Sequence, residues 1–97
     1  MNIGILGFAH PHVDAYVGEW KQHPEMRITV AAGWDHDAAR SRQVAEKSGL
    51  PMLASPDGLL ARSDIGGVVI ASETSLHADL VEKAAAVGAV GWIMVSD

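Results

Sequence analysis

Three clusters of side chains with chemical potential recur along this 97-residue sequence. The first is Gly7-Phe8-Ala9-His10-Pro11-His12, directly behind the apolar run Ile3-Gly4-Ile5-Leu6. A glycine there lets the chain turn sharply out of a strand. A helix starting just beyond presents unpaired N–H groups and a partial positive charge, a seat for a pyrophosphate. The fingerprint G-x-G-x-x-G is met only in part: Gly7 takes its first position, while Ala9 and His12 stand in place of the other two glycines. An ordinary tight turn accounts for the same residues. The second cluster is Trp34-Asp35-His36-Asp37, with Arg40 and Arg42 close behind. A carboxylate at the tip of a second strand accepts hydrogen bonds from an adenosine ribose 2′-OH and repels a 2′-phosphate, so Asp35 favours NAD. His36, Arg40 and Arg42 could accept that phosphate, which keeps NADP possible. Asp35 has an alternative role as the cap of the following helix. The third cluster is Ser72-Glu73-Thr74-Ser75-Leu76-His77.

The elements that must position these clusters alternate in type. Residues 3–6 form a strand, and Val13, Tyr16, Val17 and Trp20 recur at helical spacing until His23-Pro24 stops them. The β-branched run 27–34 is a second strand whose unbroken apolar character predicts burial on both faces. A surface helix follows over 37–48, stopped by Gly49, and Pro51-Met52-Leu53-Ala54 allows only a short third strand. Ser55-Pro56-Asp57 opens a brief helix. The run 66–72 is a buried fourth strand, and Thr74 or Ser75 caps a helix through Val87 with Gly88 as its stop. Residues 90–95 close the series as a fifth strand. Strands alternating with helices specify an α/β fold, a doubly wound parallel Rossmann-like sheet of five strands with expected order 3-2-1-4-5. In such a sheet the ligand lies at the carboxyl ends of the strands, where the order reverses. All three clusters fall there, joined by Ser96-Asp97.

Composition narrows the partners. Seven basic against twelve acidic residues leave a formal charge of −5, which argues against a phosphate-backbone binder, so nucleic acid is not an expected partner. There is no cysteine, which removes disulfide scaffolds, zinc ribbons and thiol nucleophiles. The longest apolar stretch, 84–95, is well short of the ~20 residues a bilayer-spanning helix needs. The N-terminus carries no basic region ahead of an apolar core, so a cytoplasmic location is the default expectation. The whole chain reads as one domain.

Up to Gly88 the sequence resembles the N-terminal domain of the Gfo/Idh/MocA family, NAD(P)-dependent oxidoreductases acting mostly on sugars and other polyols. The resemblance rests on Ile3-Gly4-Ile5-Leu6-Gly7-Phe8-Ala9-His10, Trp34-Asp35-His36-Asp37-Ala38-Ala39-Arg40 and Val68-Val69-Ile70-Ala71-Ser72-Glu73-Thr74-Ser75-Leu76-His77. It implies that Gly7, Phe8, Ala9, His10 and His12 line the pyrophosphate turn and that Ser72, Glu73, Thr74 and His77 lie along the cofactor near its nicotinamide half. Family members often carry proline where Glu73 stands. A helix-face residue turned to solvent is the plain alternative for His77. The family continues beyond its glycine with a strand ending in Glu-Lys-Pro, whose lysine acts near the reacting carbon, and then with a substrate domain. This sequence instead reads Ala89-Val90-Gly91-Trp92-Ile93-Met94-Val95-Ser96-Asp97, with no lysine beyond Lys83. The expectation is therefore a dinucleotide-binding domain incomplete for catalysis by itself.

Two rival readings stand beside this one. His10-x-His12-x-Asp14 resembles the H-x-H metal ligands of amidohydrolase-type barrels, with His36 and Asp37 as further candidates, but those barrels need eight strands and about 250 residues. A Ser-His-Asp hydrolase lacks its G-x-S-x-G elbow. The other rival is a non-catalytic α/β interaction or regulatory module. Trp92, Ile93 and Met94 on the last strand would leave an apolar edge in water, which predicts a homo-oligomer through the fifth-strand edge.

Overall fold

The structure is a computed structural model and describes residues 1–9, 12–87 and 92–95, without the side chains of His12, Asp14, Thr74 and 92–95. The described strands are β1 (Asn2–Leu6), β2 (Thr29–Trp34), β3 (Gly67–Ile70) and β4 (Trp92–Val95). They form one sheet in the order β2-β1-β3-β4, and every pairing is parallel. The intervening helices are α1 (His12–Gln22), α2 (Ala38–Ser48), α3 (Pro56–Leu60) and α4 (Thr74–Val87).

Alternation along the central strands sorts the core into two layers. Ile3 and Ile5 of β1, with Val69 and Ala71, meet Val13, Val17 and Trp20 of α1 and Val44 of α2 on one face. Leu6, Val68 and Ile70 point the other way, onto Leu59 and Leu60 of α3 and Leu80 and Ala84 of α4. Two helices therefore cover each face, the arrangement that parallel crossovers require. β3 is buried at all four positions because both of its edges and both of its faces are covered.

Three expectations need correction. The sheet has four strands among the described residues, not five in the order 3-2-1-4-5. The segment after α2 makes a single parallel bridge, Met52 to Gly33, on the edge of β2 away from β1. Gly33 N–H donates to the Pro51 carbonyl at 3.0 Å and Leu53 N–H to the Gly33 carbonyl at 2.8 Å, and nothing further in that segment pairs among the described residues. Pro51 brings no N–H to a ladder, and Ser55-Pro56 begins α3 at once, so no length is left for a strand. For the same reason β2 is not buried on both faces: Thr29 is exposed and only Ala32 and Gly33 are buried. β2 also starts later than residue 27, because Pro24–Met26 wind into a 3-10 turn that leaves Arg27 in the left-handed region at φ 57°.

The helix signals act at the expected residues. Ser55 caps α3 through its hydroxyl, which accepts from Gly58 N–H at 3.0 Å. Gly49 ends α2 in the left-handed conformation at φ 72°, where a side chain would be strained. Asp37, not Asp35, caps α2, accepting from Ala39 and Arg40 N–H groups at 3.0 and 3.1 Å. Ser75 lies inside α4, which begins at Thr74.

Candidate functional site

The carboxyl ends of β1, β2 and β3 converge on the turn at 7–9. Gly7 has φ +96°, and a Cβ there would stand 2.5 Å from the backbone of Ser72, so only glycine lets the first turn lie against the loop that leaves β3. This close approach, more than any ligand, requires the residue. The turn is stitched to both neighbours: Gly7 N–H donates to the Trp34 carbonyl at 2.7 Å and Ala9 N–H to the Ala71 carbonyl at 3.0 Å. Phe8 N–H donates to Asp35 Oδ2 at 2.8 Å. The N–H groups of Gly7, Phe8 and Ala9 are therefore spent within the fold. Backbone donors for a phosphate are left to the first turn of α1, whose N–H groups have no helical acceptor. Phe8 turns its ring inward against Gly33 and Met52 as part of the core.

Asp35 is the centre of the site. Its side chain is 0% exposed, and its two oxygens accept four hydrogen bonds, which fill the capacity of a carboxylate. Besides Phe8, they come from Asp37 N–H at 2.8 Å and from Arg40, whose Nε and Nη2 reach Oδ2 and Oδ1 at 2.8 and 3.0 Å. Burial raises the Asp35 carboxyl, but the Arg40 guanidinium and the two backbone donors outweigh it and hold it below the ordinary range. The bidentate pair in turn raises Arg40, against the opposing effect of burial.

A second carboxylate extends the network across the site. Glu73, in the loop between β3 and α4, accepts from Arg40 Nη2 at 3.0 Å through Oε2, and His36 Nε2 lies 3.2 Å from the same oxygen. Burial raises the Glu73 carboxyl. Its own backbone N–H, Arg40 and His36 bring it below the usual value. The other oxygen, Oε1, is buried with no hydrogen-bond partner among the described residues. Ser72 is fully buried and its hydroxyl donates to the Glu73 carbonyl at 3.2 Å. His77 Nε2 donates to the Ser72 carbonyl at 2.8 Å, so the half-buried ring braces the loop from the first turns of α4.

Beside Asp35 opens a cleft of about 550 Å³ lined by Trp34, His36, Ser41, Arg42, Leu53 and Ala54, among others. Asp35, His36, Arg40, Glu73, Ser72 and His77 are thus brought together around the turn at Gly7, Phe8 and Ala9. His10, and the side chains of His12 and Thr74, lie outside the described residues, as do Ser96 and Asp97. Among the described residues no group of three His, Cys, Asp or Glu side chains could hold a metal ion. Sequence reasoning missed Leu53 and Ala54. The signal was available, since the segment after the second crossover must pass the outer edge of the second strand.

The sequence matches, over residues 1–91, an oxidoreductase family with an NAD-binding Rossmann fold, Gfo/Idh/MocA. The chain belongs to this family. It is an NAD-binding Rossmann domain by membership, and its lineage as read from the three motifs holds. An NAD-binding oxidoreductase from Klebsiella pneumoniae is similar at 28% identity and TM-score 0.71, over 91% of this chain and 25% of its own. UDP-N-acetylglucosamine 3-dehydrogenase from Acidithiobacillus ferrooxidans is similar at 25% identity and TM-score 0.76, over 98% and 28%. Biliverdin reductase from Synechocystis, solved with biliverdin and NADP+, shares the fold at TM-score 0.81 and 20% identity, over 97% and 28%. The chain therefore spans about a quarter of the structures it matches. No curated protein matches it.

Proposed function

We propose that this domain holds NAD(H), in preference to NADP(H), across the carboxyl ends of β1, β2 and β3, as the cofactor half of an oxidoreductase. The observation that carries this reading is the buried Asp35 at the tip of β2, tied to the Gly7 turn and opening onto a cleft whose volume is ordinary for a small-molecule site. Trp34 and Leu53 give that cleft apolar walls for an adenine. The first turn of α1, which begins at His12, faces the pyrophosphate through backbone groups. Ser72, Thr74 and His77 bound the side towards the nicotinamide.

The saturated state of Asp35 shapes how a ribose is held. Two of its four donors are backbone N–H groups and do not leave, while Arg40 is a side chain on the surface of α2. A ribose hydroxyl reaches Asp35 by taking the place of an Arg40 bond. The nicotinamide supplies hydride transfer when bound, and the protein supplies orientation and charge. A sugar or related polyol is the substrate class for the whole protein, in line with a relative that acts on a nucleotide sugar. The reading extends to a cytoplasmic location and to self-association through the edge at β4. No helix among the described residues is long and apolar enough to cross a membrane.

Titration of the chain with NADH and NADPH tests the proposal. Saturable NADH binding, weaker NADPH binding and loss of both in Asp35→Ala are expected. A chain that binds neither dinucleotide refutes it.

A further inference from the structure

We infer that Glu73 is a specificity-determining residue that keeps Arg40 neutralised and so withholds that guanidinium from a 2′-phosphate. The inference rests on the dinucleotide reading above. Arg40 Nη2 stands between two carboxylates, 3.0 Å from Asp35 Oδ1 and 3.0 Å from Glu73 Oε2. When a ribose hydroxyl displaces Arg40 from Asp35, an arginine in the first turn of α2 would ordinarily swing to whatever anion is at hand, including a phosphate on that ribose. Here a second seat already exists. Glu73 reaches over from the β3 loop, a different element from the one that carries Asp35, and holds the guanidinium on the far side.

The charge balance points the same way. Asp35 and Glu73 contribute two negative charges against one on Arg40, and His36 is shared between the same two carboxylates, with Nδ1 3.7 Å from Asp35 Oδ1 and Nε2 3.2 Å from Glu73 Oε2. A 2′-phosphate arriving at these four side chains meets a surplus carboxylate and an arginine already held by two carboxylates, which leaves Arg42, on the wall of the neighbouring cleft, to attract it. The buried Oε1 of Glu73 adds to that surplus, because a neutral hydroxyl can satisfy an acceptor without a partner and a phosphate oxygen cannot. Asp35 alone does not produce this selectivity, since Arg40 cancels its charge. Glu73 restores the negative balance.

The test is the ratio of NADPH to NADH dissociation constants, measured by calorimetry on the 97-residue chain, on Glu73→Gln and on Glu73→Ala. Removing one charge a few ångströms from a phosphate in a partly solvated site lowers that ratio by about tenfold. Adding Arg40→Ala to either variant returns the ratio towards the starting value, because the released guanidinium is the group that gains the phosphate. Circular dichroism confirms that each variant is folded, and Glu73→Gln, equal in shape, guards against a loop rearranged in Glu73→Ala. A ratio that moves by less than about twofold in both variants, or a shift that persists without Arg40, overturns the assignment while the dinucleotide reading stands. A wild-type chain that binds neither dinucleotide overturns both.

Discussion

At the scale of single residues, Gly7, Asp35 and Glu73 decide what the site can do. Gly7 is held at φ +96° with the Ser72 backbone where its Cβ would be. Gly7→Ala must both strain φ and push the β3 loop away, so it should cost more than about 2 kcal/mol in urea unfolding. A loss below about 0.5 kcal/mol would show that the turn can move freely. Asp35 and Glu73 are both held below ordinary carboxylate values. A carboxylate depressed in the folded state contributes stability above its unfolded value of about 4, and that contribution is lost as the pH falls through the depressed value. Stability should therefore decline on the acid side, below about pH 4, with little change attributable to these groups above it. Asp35→Asn removes the larger part of that decline and, by leaving Arg40 and two backbone donors with a poorer acceptor, costs about 1–3 kcal/mol near neutrality. Parallel acid profiles for the variant and the wild type would contradict the role given to Asp35.

At the scale of elements, stability is concentrated where the sheet is covered twice. Leu59 of α3 is fully buried against Leu6, Val68 and Ile70, so Leu59→Ala should cost about 2–5 kcal/mol in chemical denaturation. Asp37→Ala removes two cap bonds from α2 and should cost about 1 kcal/mol, which separates its role from that of Asp35. Most of this architecture was legible in the sequence. The Val68-Val69-Ile70 run, the Ser55-Pro56 start and the Gly49 stop are local signals with local causes. What was not legible depended on neighbours. The expected third strand shrank to one bridge because Pro51 and Pro56 leave no room, and β2 lost part of its burial as a consequence. In the site, the types at Asp35, Arg40 and Glu73 were evident, but not their mutual engagement. Arg40 and Glu73 are 33 residues apart, and no local pattern says that two loops will close on one guanidinium.

At the scale of the whole molecule, the domain places a crevice at the carboxyl ends of its strands and sets an ion network of Asp35, Arg40, His36 and Glu73 beside it. The chain spans about a quarter of each structure it matches, so its cofactor chemistry is the part that can be tested directly on it. A net charge of −5 is consistent with a site that selects against additional phosphate and with weak attraction for polyanions in general. The most direct measurement is a titration of the isotopically labelled chain with NADH, followed by backbone amide resonances. Binding at the proposed crevice predicts saturable shifts centred on residues 7–9, 35–40 and 72–77, with the opposite end of the sheet, around Trp20, Arg27 and Leu50, unperturbed. Shifts centred on that opposite end, or none that saturate, would contradict the account.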